Sequence, residues 1–215
     1  MQQEADWTIL IYANGNNDLE PEMLQVMLDA EKVGSGSHVH VAIQIGRAEK
    51  SIVKLIRQNF NNNEEDDAWS GVRRYYVRRG GSDLVEDLKY VNMADPKQLY
   101  SFVKWGMLSY PAKKYMLIIG GHSYQCVGMM SDFSTDAPYI MGIPELVHVI
   151  NAAANEMNNK IDLLLLDACC ANSLEFIYEF GKDKRHAVQS VITYMVNGSI
   201  EGLPYKQCSG DRSNL

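Results

Sequence analysis

Two short stretches of this chain end in side chains able to do covalent chemistry on a carbonyl. One reads Ile118-Ile119-Gly120-Gly121-His122-Ser123, the other Leu165-Leu166-Asp167-Ala168-Cys169-Cys170. A thiolate attacks a carbonyl, an imidazole carries the proton, and backbone N–H groups hold the oxyanion, so these types together could build an acyl-transfer centre. Cys169 stands where an apolar run gives way to a helical pattern starting at Ser173, and N–H groups at a helix start favour a thiolate. Gly120 and Gly121 allow a tight turn before His122 and leave room for a substrate. Taken singly, a histidine after a strand is an ordinary loop residue and a buried cysteine is ordinary packing. The pair, in order on two buried runs, leaves catalytic and structural readings evenly matched.

Asp167 adds a separate argument. Residues two apart in an extended chain face the same side, so Asp167 and Cys169 should project together. A carboxylate beside a thiol opposes formation of the thiolate, which makes chemical sense if the substrate brings a compensating cation. Asp167 is then the floor of a pocket for Arg or Lys at the residue before the cleaved bond. An aspartate that caps a helix or turn is the alternative.

The elements that must position these residues alternate between strand and helix patterns. Strands are expected at Trp7–Ala13, Val39–Ile45, Ser51–Arg57, Arg73–Arg79, Tyr115–Ile119, Ile161–Leu166 and Ser190–Val196. The second alternates polar and apolar residues, predicting one more polar face, whereas the runs at 115–119 and 161–166 are continuous, as in strands buried on both faces. Helical spacing covers Glu22–Val33, the segment behind Asp95-Pro96, the segment from Pro144, and Ser173–Phe180, with Gly181 as a C′ stop. This order predicts an α/β fold with a central, mostly parallel sheet and helices on both faces. Its sites lie beyond the carboxyl ends of central strands.

Composition narrows the function classes. With 215 residues, 46% hydrophobic and 22% charged, the chain can build a three-layer core as one domain spanning 1–215. No apolar run approaches the roughly 20 residues of a membrane-spanning helix. A net charge of −7 counts against nucleic-acid binding. The cluster Arg73, Arg74, Arg78, Arg79 is expected to be a solvated strand edge, with a phosphate-binding patch as the alternative. Cys126, Cys169, Cys170 and Cys208 show neither a disulfide framework nor zinc-ligand spacing. Asn61–Asp67 is expected to be an exposed acidic loop. Residues 1–6 lack a basic n-region and an apolar h-region, which places the protein in the cytoplasm, or outside the cell if the start is a trimmed mature end.

The chain resembles the clostripain family of cysteine peptidases, within the caspase-like clan. The similarity runs from Trp7-Thr8-Ile9-Leu10-Ile11-Tyr12-Ala13-Asn14-Gly15-Asn16-Asn17-Asp18-Leu19 through Asn92-Met93-Ala94-Asp95-Pro96, Phe102-Val103-Lys104-Trp105 and Tyr110-Pro111-Ala112 to Leu203-Pro204-Tyr205. Its most specific part is Asp167-Ala168-Cys169 followed by Ser173-Leu174-Glu175. The resemblance implies a caspase-like three-layer sandwich, a His122–Cys169 dyad acting through a thioester, and Asp167 selecting basic residues. It also implies an oxyanion site made by the backbone N–H groups of Ser123 and Cys169, and a peptide or protein substrate. His122 lies 47 positions before Cys169, near the roughly 50 typical of caspases. No cofactor is expected; calcium, on which some relatives depend, would draw on carboxylates such as Asp132 and Asp136.

The chain also departs from the family pattern. Ser123 replaces the usual Gly and is expected to crowd the entrance. Gly121-His122 replaces Asp-His, removing an acidic neighbour, and Cys170 replaces Leu and is expected to pack in the core. Asn197–Leu203 is shorter than its family counterpart, and Leu215 comes earlier than the usual end. No Lys or Arg lies between Lys114 and Lys160, so activation by self-cleavage after a basic residue there is not expected. A catalytically weak or inactive relative that binds peptides or partner proteins is the main alternative. A nucleotide or small-molecule enzyme of open α/β type comes third, because GxGxxG and P-loop motifs are missing.

Overall fold

The computed structural model describes residues 4–57, 69–133, 139–194 and 198. Strand β1 (Ala5–Gly15) sits at the centre of a seven-stranded sheet. Helix α1 (Glu20–Val33), with Pro21 in its first turn, leads to β2 (Val39–Arg47), which pairs parallel to β1. Helix α2 (Lys50–Ile56) precedes β3 (Gly71–Arg78) and β4 (Gly81–Lys89), which add antiparallel strands on that side. Helix α3 (Pro96–Ser109) starts at Asp95, whose carboxylate accepts from the Lys97 N–H, and returns the chain to β5 (Ala112–Gly120) on the other side of β1. A hairpin of β6 (Gly128–Asp132) and β7 (Tyr139–Gly142) and helix α4 (Ile143–Glu156) follow. Next come β8 (Leu163–Asp167), parallel to β5, then α5 (Leu174–Gly181) and the short edge strand β9 (Val191–Thr193).

Side-chain parity in the strands divides the core in two. Ile9, Ile11, Ala13, Ile43, Ile45, Ile118 and Leu165 pack with Met23, Val26 and Ala30 of α1. Leu10, Tyr12, Leu117, Ile119, Leu164 and Leu166 pack against α3 and α4 on the opposite face, through Leu99, Phe102, Val103, Leu146 and Ile150. The central strands are therefore covered on both sides, as their continuous apolar runs predict.

Several expectations need correction. The expected strand Ser51–Arg57 is instead helical as far as Ile56: β3 already occupies the free side of β2, and within α2 only Val53 is buried while Leu55 is 81% exposed. Arg73–Arg79 is not an edge, because β4 lies outside it; the Asp-Leu-Val-Glu-Asp core of β4 lacks the apolar run that marks a strand in sequence. The arginines are not a phosphate patch either. Arg73, Arg74 and Arg78 pair across the strands with Asp87, Glu86 and Asp83. Arg74 is buried and also donates to Gln44 Oε1 at 2.8 Å and Ser101 Oγ at 3.0 Å. The polar face of β2 is thereby sealed, with Gln44 buried. Gly181 ends α5 as its last helical residue, and the cap is Lys182 in right-handed conformation. The 128–142 hairpin was not foreseen. Asn61–Asp67, Asp136, Cys208 and Asn197–Leu203 apart from Gly198 lie outside the described residues. Among the described residues, no helix is long and apolar enough to cross a membrane.

Candidate active site

Strands β5 and β8 pair in parallel from Met116 with Leu163 to Gly120 with Asp167. His122 and Cys169 share that register offset, so each stands two residues past the last pair, and the Gly121 N–H reaches the Asp167 carbonyl at 3.3 Å. Parity decides the face. Ile118 and Leu165 point toward α1, and Asp167, Cys169 and His122 keep that alternation. All three line one cavity of about 460 Å³, which Leu19 and, from α1, Pro21 and Met23 also line. Asp167 is buried, His122 half-buried and Cys169 exposed. Cys126 is also exposed but lies outside this cavity, so Cys169 is the cavity's thiol among the described residues.

The segment carrying His122 is braced by the hairpin behind it. The His122 carbonyl accepts from the Met130 N–H at 2.8 Å, Ser123 bridges to Met129, and the Tyr124 hydroxyl donates to Ser131 Oγ at 2.7 Å. The hairpin in turn is held by the end of β1 and the loop that follows it. Asn14 Nδ2 and Asn17 Nδ2 donate to the Ser131 carbonyl at 3.0 and 2.8 Å. Asn16 Nδ2 donates to both oxygens of Asp132, and Asp132 Oδ2 also accepts the Met93 N–H at 2.6 Å. Beneath this loop Glu20 and Arg47 form an ion pair at 2.6 Å, with side chains only 5% and 3% exposed. A buried pair of this kind ties the start of α1 to the end of β2.

The loop also reaches the imidazole. His122 Nε2 lies 2.9 Å from Asp18 Oδ1. Gly121, standing where an acidic residue was expected, has φ +154, a conformation L residues rarely adopt, and a Cβ there would meet Asn14 Cβ at 3.3 Å. An acid is therefore presented to His122, but from the β1–α1 loop. In the sequence Asn14-Gly15-Asn16-Asn17 reads only as a turn, and no spacing singles out Asp18. The signal available was an excess of polar side chains, more than a turn needs, at the end of a central strand.

Other predicted residues are placed differently. Ser123 is not a wall of the cavity; its Oγ is buried and has no hydrogen-bond partner among the described residues, so it turns inward instead of crowding the entrance. Cys170 is half-buried instead of packed in the core and adopts φ +53, so a strained turn follows Cys169. Asp132 sits in β6, fully buried, and accepts from Asn16 and Met93, instead of lying on a loop. No group of three metal-capable side chains occurs among the described residues.

Comparison with known proteins gives this arrangement a context. A model of the clostripain family matches residues 40–210. A secreted C11 cysteine protease from Bacteroides thetaiotaomicron, solved with an irreversible peptide inhibitor, superposes with a TM-score of 0.70 at 18% identity, covering 94% of this chain and 52% of that one. An inactive zymogen C11 protease from Parabacteroides distasonis gives 0.70 at 17% identity, covering 98% and 54%. A further Bacteroides thetaiotaomicron structure, named iotapain, gives 0.67 at 15%, covering 95% and 56%. The chain thus spans about half the length of these structures. The shared fold is the expected caspase-like α/β sandwich. No curated protein matches the chain.

Proposed function

This chain belongs to the clostripain family of cysteine peptidases, and from that premise we propose that it hydrolyses peptide bonds after Arg or Lys, with Cys169 as nucleophile and His122 as proton carrier. The observation that carries the reading is the convergence of a thiol, an imidazole and a buried carboxylate on one cavity from adjacent parallel strands.

Cys169 Sγ passes its proton to His122 and attacks the scissile carbonyl. The tetrahedral oxyanion is held by the backbone N–H groups of Cys169 and Ser123. His122 protonates the leaving amine, the C–N bond breaks, and a thioester remains on Cys169. Water then gives a proton to His122 and attacks the thioester; collapse of the second intermediate expels the thiolate and frees the carboxylic acid. Asp167 receives the cationic side chain. Opposite charges about 4 Å apart at an effective dielectric near 20 attract by roughly 4 kcal/mol, and desolvation removes part of that.

The test uses fluorogenic peptides with Arg, Lys or Asp before the cleaved bond. Cleavage after Arg and Lys should vanish in Cys169→Ala and His122→Ala. Asp167→Asn should cut kcat/KM for the Arg peptide roughly 100-fold, about 2.7 kcal/mol, and leave cleavage after neutral residues less affected. A folded chain that binds these peptides and cleaves none would replace the peptidase reading with that of a binding module.

A further inference from the structure

We infer that Asp18 is the positioning residue of His122: its carboxylate holds the Nε2 side of the ring and leaves Nδ1 to exchange protons with the thiol and the leaving amine. This rests on the dyad proposed above. A neutral imidazole has one N–H and one lone pair, and an ionised carboxylate only accepts. With Asp18 Oδ1 2.9 Å from Nε2, the proton belongs on Nε2 and the lone pair on Nδ1. When Nδ1 takes up a proton the ring becomes a cation and the same carboxylate steadies it. Both side chains are partly exposed, 33% for His122 and 26% for Asp18, so solvent screens the charge attraction while the directional bond persists.

Asp18 can serve this way because its neighbours are fixed. Asn17, fully buried, donates to the Ser131 and Asn14 carbonyls, and its Oδ1 accepts the Leu19 N–H at 2.8 Å. Ser131 belongs to the same hairpin strand as Met130, whose N–H holds the His122 carbonyl. One loop therefore fixes the ring of His122 directly and its backbone through the hairpin. Among the described residues the Tyr124 ring lies 6.2 Å from that of His122, centroid to centroid, and its hydroxyl is engaged with Ser131 Oγ.

The experiment compares the wild-type chain with Asp18→Ala, Asp18→Asn and His122→Ala, each checked for native unfolding behaviour. With the Arg peptide, Asp18→Ala should lower kcat roughly 10- to 100-fold and move KM less than about threefold, as for other residues that orient a functional histidine. Asp18→Asn keeps an acceptor and should retain more activity than Asp18→Ala. Proton NMR at low temperature should show a downfield imidazole N–H in the wild type that disappears in His122→Ala and in Asp18→Ala. Wild-type kcat in Asp18→Ala, a loss confined to KM, or an unchanged N–H resonance would overturn the inference. If the wild type cleaves no peptide, the peptidase reading fails by itself, and the resonance still decides whether Asp18 holds the ring.

Discussion

Replacing Asn17 with aspartate exchanges one NH2 for an oxygen and leaves the shape almost unchanged, yet it should invert the chemistry of a fully buried position. In the wild type Nδ2 donates to the carbonyls of Ser131 and Asn14 at 2.8 and 3.3 Å, while Oδ1 accepts from Leu19. A carboxylate would set an oxygen against two carbonyl oxygens, with no exposure to water. The protein can avoid this by folding with the new carboxyl protonated, whose O–H can still donate to Ser131. The folded-state pKa of the introduced group is then raised, so its share of stability is intact below the unfolded value near 3.9 and is lost as pH rises. At pH 7 the penalty is the cost of protonation, about 4 kcal/mol, plus about 1 kcal/mol for the bond to the Asn14 carbonyl that a single O–H no longer makes; the first part falls by about 1.4 kcal/mol per pH unit, so the total drops to roughly 2.5 at pH 5. Asn17→Ala instead loses three neutral hydrogen bonds, about 3 kcal/mol at any of these pH values. Urea unfolding of both variants at pH 5 and pH 7 should therefore reverse their order, with Asn17→Asp the weaker at pH 7 and the stronger at pH 5. Parallel pH dependences, or an Asn17→Asp variant as stable as wild type at pH 7, would refute the hydrogen-bond assignment on which the loop argument depends.

Two further tests address the same framework. Arg47→Met strands the Glu20 carboxylate in the core and should cost about 3–5 kcal/mol in urea unfolding, whereas Glu20→Leu with Arg47→Met should recover most of the loss; equal stability of the single and double variants would contradict it. Tyr12 is fully buried, its hydroxyl donates to the Met93 carbonyl at 2.7 Å, and burial first, then the negative charge of Asp132, holds its phenol well above the ordinary range. Its contribution to stability is complete below the unfolded value near 10 and is lost at higher pH, so in an ultraviolet titration Tyr12 should ionise only as the chain unfolds. Tyr12→Phe should remove one tyrosine from that late step and none from the earlier one.

The positions of His122, Asp167 and Cys169 were legible because the two runs before them are apolar without interruption. Such runs form strands buried on both faces, and polar, reactive types can appear only where the strands end. Period-two alternation then sets Asp167 and Cys169 on one side from local geometry alone. The helices behind Asp95-Pro96 and Pro144 were legible for the same local reason, since capping and periodicity are written within a few residues.

The rest depended on neighbours far along the chain. Whether Arg73–Arg79 is an edge or an interior strand depends on β4, which has no apolar signature and is held by carboxylates placed opposite arginines. Residues 50–56 are compatible with a strand in isolation and become a helix because β3 takes the pairing side of β2. Asp18 and His122 are 104 residues apart, and no spacing rule links them. Local periodicity records which side chains must leave water. Which donor meets which acceptor is settled only when the sheet order and the packed layers bring distant loops together, because a hydrogen bond needs atoms within about 3 Å and that closeness belongs to the folded chain.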